Sequence, residues 1–229
     1  MTPAPRRFLG VVAKRPANGH TKTRLSPPLD GETAAHLYEG FLADTLALIR
    51  QTPGVERAIA FLPDGAEPYF RRLAPDFNLT LQQGDDLGAR LDNLLAAALA
   101  AGAGQAVVMD SDSPTLPIGY LADAFARLDA GADVVLGPTE DGGYYLIGLA
   151  RPQPRLLREI PMSTPTVLQD TLALAHTLGL KTALLPPWYD IDTAADLLRL
   201  QNHLAVLSDD IAPHTRRRLA ALSATKRAA

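Results

Sequence analysis

Ala106-Val107-Val108-Met109-Asp110-Ser111-Asp112-Ser113-Pro114 is the stretch whose reading decides the fold. Four apolar residues in a row, with no polar alternate, describe a strand buried on both faces, as inside a parallel sheet. The run stops at an aspartate, and a second aspartate follows two positions on. In an open parallel sheet, residues beyond the carboxyl end of a strand line the crevice where ligands bind. In an extended segment, residues i and i+2 point the same way, so Asp110 and Asp112 would reach one ion together. Taken alone the D-x-D pattern is weak, because Asp also opens turns and Asp112-Ser113-Pro114 reads as one. Its place directly after a buried strand favours the ligand reading.

Working outward, strands and helices alternate. Residues 8–13 form a second buried run, followed by a polar loop over 14–29 that is rich in Pro and Gly. Asp30 is a candidate cap for a helix in which Ala34, Leu37, Phe41, Thr45 and Leu48 recur at helical spacing. A strand at 55–62 is stopped by Pro63-Asp64-Gly65; a short helix at 67–73 and a strand at 78–81 follow. Leu87, Leu91, Leu94, Leu95 and Ala98 mark a helix ended by Gly102 and Gly104. Residues 117–128 read as a helix opened by Pro near its first turn, 133–136 and 144–149 as strands, and 166–178 as a helix stopped by Gly179. A last strand at 182–185 leads to Asp190, and a helix begins near Thr193. No linker, repeat or low-complexity tract divides the chain. The expected architecture is one α/β domain over 1–229, with a core at about 8–206 and a C-terminal helix and basic tail over 207–229.

Composition bounds the chemistry. The 229 residues include 47 % hydrophobic side chains, enough for a sizeable core, and no cysteine. Disulfide frameworks, zinc–thiolate sites, iron–sulfur clusters and thiol nucleophiles are excluded. The N-terminus lacks an apolar signal core, and the most apolar stretch, 94–109, is too short and too weak to span a bilayer, so a cytoplasmic protein with no membrane partner is expected. Five histidines (20, 36, 176, 203, 214) show neither triad nor metal spacing.

The net charge of −3 conceals a segregation. Residues 1–29 carry six cations (Arg6, Arg7, Lys14, Arg15, Lys22, Arg24) and no acid, whereas residues 30–213 hold 11 cations and 25 acids. An acidic body with 6 % aromatics argues against a nucleic-acid binder. The early basic stretch reads instead as a local site for a small polyanion, or as a solvated face. The terminal cluster Arg216, Arg217, Arg218, Lys226 and Arg227 reads as a solvated helix face and a frayed tail.

Three acidic pairs fall at the downstream ends of strands: Asp110 and Asp112, Glu140 and Asp141, Asp190 and Asp192. The basic loop after the first strand belongs to the same edge. Carboxylates facing Lys and Arg across one crevice suit a nucleotide phosphate with a divalent ion, since hard cations take carboxylate oxygens and bridge to phosphate. Glu140-Asp141-Gly142-Gly143-Tyr144 has two readings. It is a tight Asp-Gly connection between strands, or a place where two glycines let the backbone approach a substrate that Asp141 hydrogen-bonds. Asp190 is the better ligand candidate of its pair, while Asp192 reads equally as a ligand or, like Thr193, as a cap of the last helices.

Together, Ala13-Lys14-Arg15-Pro16, Lys22-Thr23-Arg24-Leu25, Met109 to Pro114, Gly137 to Tyr145 and Asp190-Ile191-Asp192-Thr193 resemble one family in matching order over about residues 8–200. It is the GT-A-type transferase family labelled glycosyltransferase-like, or radical-SAM/selenodomain-associated transferase. The chain is also similar to phospholactate guanylyltransferases and, more distantly, to molybdenum-cofactor nucleotidyltransferases. The resemblance implies a Rossmann-like GT-A fold with a mixed, mostly parallel sheet, a nucleotide over its first half, and Mg²⁺ or Mn²⁺ on the D-x-D aspartates. Carried over by position, Lys22 contacts phosphates with Arg24 and Lys14 in support. Asp110 holds the metal, Asp112 shares it or binds ribose, and Asp190 or Asp192 completes the metal site. The segment 82–90, including Gln83 and Gly88, sits where related enzymes read the base, or is simply a helix start capped by Asp85 or Asp86. Glu140, Gly142, Gly143 and Tyr144 line the substrate. The chain departs from the molybdenum-cofactor enzymes in having Lys14-Arg15-Pro16 where they open a Gly-rich loop, so side chains would do more of the phosphate binding.

The resemblance leaves three activities open. The first is nucleotidyl transfer from a nucleoside triphosphate to a small-molecule acceptor. The second is glycosyl transfer from a nucleotide-sugar, with Asp141 or Glu140 as base. The third is nucleotide binding without turnover. A homodimer is compatible with any of them.

Overall fold

The seven strands of the sheet run in the order β3-β2-β1-β4-β6-β5-β7, with only β6 antiparallel to its neighbours. A computed structural model describes residues 5–228, with side chains described to residue 222. Strands β1 (Arg7–Lys14), β2 (Val55–Leu62) and β3 (Asn78–Leu81) build one half of the sheet outward from its centre. β4 (Gln105–Met109) then returns to the other flank of β1, pairing Leu9 with Val107. This reversal of winding direction is a topological switch point, and it opens a crevice beyond the carboxyl ends of β1 and β4. β5 (Val134–Pro138) and β6 (Tyr144–Leu149) form a hairpin with an irregularity at Gly137/Pro138, and β7 (Thr182–Leu184) closes the edge. Because β6 runs backwards, its first residue, Tyr144, joins the last residues of β1, β4 and β5 at one rim.

Alternation along β1 divides the core. Leu9 and Val11 face a layer made by α1 (Gly31–Arg50), α2 (Glu67–Leu73) and α4 (Ile118–Asp129). Phe8 faces α3 (Leu87–Ala100), α5 (Pro154–Arg158) and α6 (Val167–Thr177). A third cluster joins α1 to α7 (Ala194–Val206) and α8 (Pro213–Ala228) through Phe41, Leu200, Leu204 and Leu219. Asp30 caps α1 by accepting from the Thr33 N–H at 2.7 Å, as its sequence position predicts. α7 opens with a full capping box between Thr193 and Asp196. This assigns the cap to Thr193 and frees Asp192 for other contacts.

One helix lies outside the sequence reading and one expectation needs correction. α5, whose Leu156 and Leu157 are fully buried, is too short to carry a sequence period. Pro117 is the cap residue of α4, next to its first turn as expected. The basic residues of α8 are not simply solvated: Asp44 of α1 accepts from the His214 and Thr215 N–H groups, Arg218 pairs with Glu39, and Arg216 donates to the carbonyls of Leu207 and Ser208. The tail expectation for Lys226 and Arg227 concerns side chains outside those described. Among the described residues, no helix is long and apolar enough to cross a membrane.

Candidate active site

The loop after β4 is fixed from three sides. Asp110 receives the Asp112 N–H and the Ser113 hydroxyl, both at 3.2 Å, so its carboxylate closes the turn that follows the strand. The segment therefore bends instead of staying extended, which corrects the i, i+2 geometry expected for the D-x-D pair. Ser111 shares a 2.7 Å hydrogen bond with the Tyr38 hydroxyl, which also accepts from the Lys14 N–H. The Ile191 N–H donates to the Asp112 carbonyl, and the fully buried Ile191 side chain anchors that junction. The acidic loops at 110–112 and 190–192 are thereby brought together with the end of β1.

Lys22 reaches into this junction. Its backbone is left-handed (φ 51°), its side chain is 6 % exposed, and its ammonium lies 2.8 Å from Asp112 and 2.7 Å from Asp192. Arg24 adds a contact to Asp192 at 3.2 Å. Burial alone would lower the Lys22 pKa, but the two carboxylates outweigh it and hold the ammonium firmly charged. Asp110 is pushed well above the ordinary carboxylate range by burial, and by the charges of Asp112 and Asp190. Asp190 rises to about 6, again chiefly through burial, then through Asp192 and Asp141.

The crevice has two adjoining lobes that share Val12, Arg24, Leu87, Asp110, Asp112, Ser163 and Asp192. One, of about 490 Å³, is lined by Lys14, His20, Lys22, Arg24 and Arg90. The other, of about 520 Å³, is lined by Asp141, Gly143, Tyr144, Asp190 and an apolar floor. The segment 162–165 walls the second lobe, and Gly142 (φ 93°) is packed so tightly on it that a Cβ would lie 1.9 Å from the Pro165 carbonyl oxygen.

Most of the site expected from the sequence converges here: Lys14, Lys22, Arg24, Asp110, Asp112, Asp141, Gly143, Tyr144, Asp190 and Asp192 line one lobe or both. Four residues do not, the first being Gly142, which packs against Pro165 and lines neither lobe. Glu140 turns away to form a two-pronged ion pair with Arg199 and lines a separate groove with Trp188 and His203. Gln83 contributes its carbonyl to Asn93 instead of lining either lobe. Gly88 lies against the Leu157 carbonyl, where an added Cβ would come within 1.9 Å, so this glycine permits α3 to pack on α5. Gln82, Leu87 and Arg90 are the members of 82–90 that reach the cationic lobe. Of the N-terminal cations, Arg6 pairs with Glu56, Arg7 with Asp129, and Arg15 lies over Tyr69. The polyanion site is accordingly narrower than the basic run.

Sequence reasoning missed Tyr38, which ties β1 to the loop after β4, and the 162–165 wall. The Pro-flanked run Pro161-Met162-Ser163-Thr164-Pro165 was a usable loop signal for the wall.

For a divalent ion the donor chemistry fits, because Asp110 and Asp190 are hard oxygen ligands with raised pKa values in one crevice. The expected set of four aspartates is not assembled around one point: Lys22 holds Asp112 and Asp192, and no group of three or more acidic or histidine side chains among the described residues stands in ion-holding geometry.

The sheet order and the rim of acids define a nucleotide-diphospho-sugar-transferase-like fold, and comparison with solved structures agrees. A protein of Desulfovibrio desulfuricans G20, provisionally named a nucleotide-diphospho-sugar transferase, superposes with a TM-score of 0.86 at 30% identity, over 93% of this chain and 95% of that one. A 4-diphosphocytidyl-2C-methyl-D-erythritol synthase superposes at 0.60 with 14% identity, over 89% of this chain and 100% of that one. A cytidylyltransferase from Leptospira borgpetersenii serovar Hardjo-bovis does so at 0.57 with 13% identity, over 97% and 96%. No curated protein sequence matches the chain. Residues 45–164 match the model of the family described as "Uncharacterized protein conserved in bacteria (DUF2064)", and the chain belongs to that family.

Proposed function

We propose that this protein is a transferase that moves a nucleotidyl group from a nucleoside triphosphate to a small acceptor and releases pyrophosphate. The observation that carries the reading is the bias of charge at the switch point: Lys14, Lys22 and Arg90 line only the first lobe, Asp141 and Asp190 only the second, and Arg24, Asp110, Asp112 and Asp192 stand on the boundary they share. Phosphoryl chemistry needs positioned cations more than a protein nucleophile, and the first lobe offers them. Lys14, Arg24 and Arg90 bind and orient the polyphosphate from the β1–β2 side, and Lys22 stands where the α-phosphate would meet the acidic rim. Mg²⁺ or Mn²⁺, held by Asp110 and Asp190, would neutralise phosphate charge when bound. Asp141 is the carboxylate left to accept a proton from the incoming hydroxyl, Glu140 being committed to Arg199. The 162–165 wall and the apolar floor restrict water around the acceptor.

Glycosyl transfer from a nucleotide-sugar is the second reading, favoured by the provisional name of the 30% identical relative. A thermal-shift panel of the four ribonucleoside triphosphates and common nucleotide-sugars, with and without Mg²⁺, separates the two. A ligand at 100 times its Kd stabilises by about 2.7 kcal/mol, which is easily read as a rise in melting temperature. The proposal expects the largest Mg²⁺-dependent rise from a triphosphate. A rise confined to nucleotide-sugars transfers support to the second reading.

A further inference from the structure

We infer that the second lobe takes an acceptor with a neutral or amine-bearing head on an apolar body, and that it rejects phosphorylated and carboxylated molecules. The inference rests on the two-lobed transferase reading and names the chemistry of its acceptor. Five carboxylates line this lobe (Asp110, Asp112, Asp141, Asp190, Asp192) against one cation among the described residues, Arg24. Arg24 already faces Asp192 and stands where the two lobes meet. An anionic acceptor would find the one lining cation already paired, and would approach the like charge of Asp141 and Asp190, which no lysine or arginine contacts among the described residues. A divalent ion would offset part of the rim, but Asp141 lies at the hairpin turn, outside the Asp110–Asp190 pair.

The floor is apolar: Leu91, Val108, Tyr144, Ile147, Met162 and Val167 line it. Tyr144 donates its hydroxyl to the Met162 sulfur, which spends its polar end within the wall. Asp141 is the polar group left to greet a head group. The Thr139 hydroxyl and the Gly143 N–H both bond its Oδ1, fixing the carboxylate and leaving Oδ2 as an acceptor for an amine or hydroxyl. The adjoining lobe differs by adding Lys14, Lys22 and Arg90 to the shared Arg24, Asp110, Asp112 and Asp192 on a similar volume.

Three probes with one ring and different charge test this: benzylamine, benzyl alcohol and benzoate, titrated into the isotopically labelled full chain with Mg²⁺ present. Benzylamine and benzyl alcohol are expected to shift the amides of Gly143, Tyr144 and Val167 at concentrations at least tenfold below any effect of benzoate there. In Asp141→Asn, benzylamine should weaken by a larger factor than benzyl alcohol, because only the amine loses an ion pair; equal weakening overturns the role given to Asp141. Benzoate binding at these amides as well as benzylamine, or no response from them to any probe, overturns the inference. The nucleotide reading is tested separately, by titrating triphosphates and reading the amides of Lys14, Arg24 and Arg90. Silence there with the benzyl pattern intact rejects the transferase reading, and the reverse rejects only the acceptor chemistry.

Discussion

Lys22 shows how one side chain can hold a site together before any ligand arrives. Its ammonium is the counter-charge for Asp112 and Asp192, whose side chains are 30% and 32% exposed. Removing one partner of a fully buried pair costs 3–5 kcal/mol; with this much solvent access, Lys22→Ala should cost about 2 kcal/mol, or roughly 4–8 °C in melting temperature. Thermal unfolding in EDTA measures this loss, and Mg²⁺ should restore part of it; an unchanged melting temperature contradicts the role. Asp190 gives the opposite sign. Its pKa rises from 3.8 in the open chain to about 6 in the fold, so the folded state gains from protonation below pH 4 and loses that gain as pH climbs through 6. Asp190→Asn should therefore stabilise the metal-free protein at pH 8 by about 1 kcal/mol, after allowing for solvent screening, and change little at pH 4. Denaturant titrations at the two pH values measure the difference, and equal shifts at both contradict it. Asp110, Asp190 and Lys22 were legible in the sequence because each follows a strand or sits in a loop with few other duties. Tyr38 was not, since its partner Ser111 is 73 residues away and a tyrosine on a helix reads as core.

At the scale of elements, local signals and long-range packing part company. The alternation of buried runs and capped helices gave the strands nearly residue for residue, because hydrophobic period, Gly and Pro act over a few positions. The running direction of β6 depended on reading Asp141-Gly142 as a hairpin, one of two readings the turn allowed. Gly88 was the misleading case: a glycine inside a helix does report a close approach, but its neighbour is the α5 backbone rather than a base. Gly142 carries both meanings, since its φ of 93° and its contact with Pro165 each forbid a side chain. Gly142→Ala should destabilise the protein by about 2–4 kcal/mol, combining left-handed strain with displacement of the 162–165 wall. Chemical denaturation reads the loss, and a cost below about 0.5 kcal/mol, the range of an ordinary surface change, would contradict the packing described.

Over the whole molecule, one reversal of winding between β1 and β4 turns an acidic chain with a basic beginning into a crevice with two chemistries. Charge segregation in the sequence pointed to this, although half of the N-terminal cations pair elsewhere, with partners that only the sheet brings near. Binding by a cationic lobe is screened by salt, so triphosphate affinity should fall as ionic strength rises from about 0.01 to 0.15 M, where the Debye length shrinks from ~30 to ~8 Å. Titration calorimetry at the two salt levels checks this, and a constant affinity would contradict it. The most direct measurement of the central claim is calorimetric titration of ATP, CTP, GTP and UTP, with Mg²⁺, into the wild-type protein and Asp110→Asn. The two-lobed reading predicts that at least one triphosphate binds the wild type only with Mg²⁺, and that Asp110→Asn loses this binding while melting no lower than the wild type. Binding that ignores both Mg²⁺ and Asp110, or no binding of any triphosphate, would contradict it.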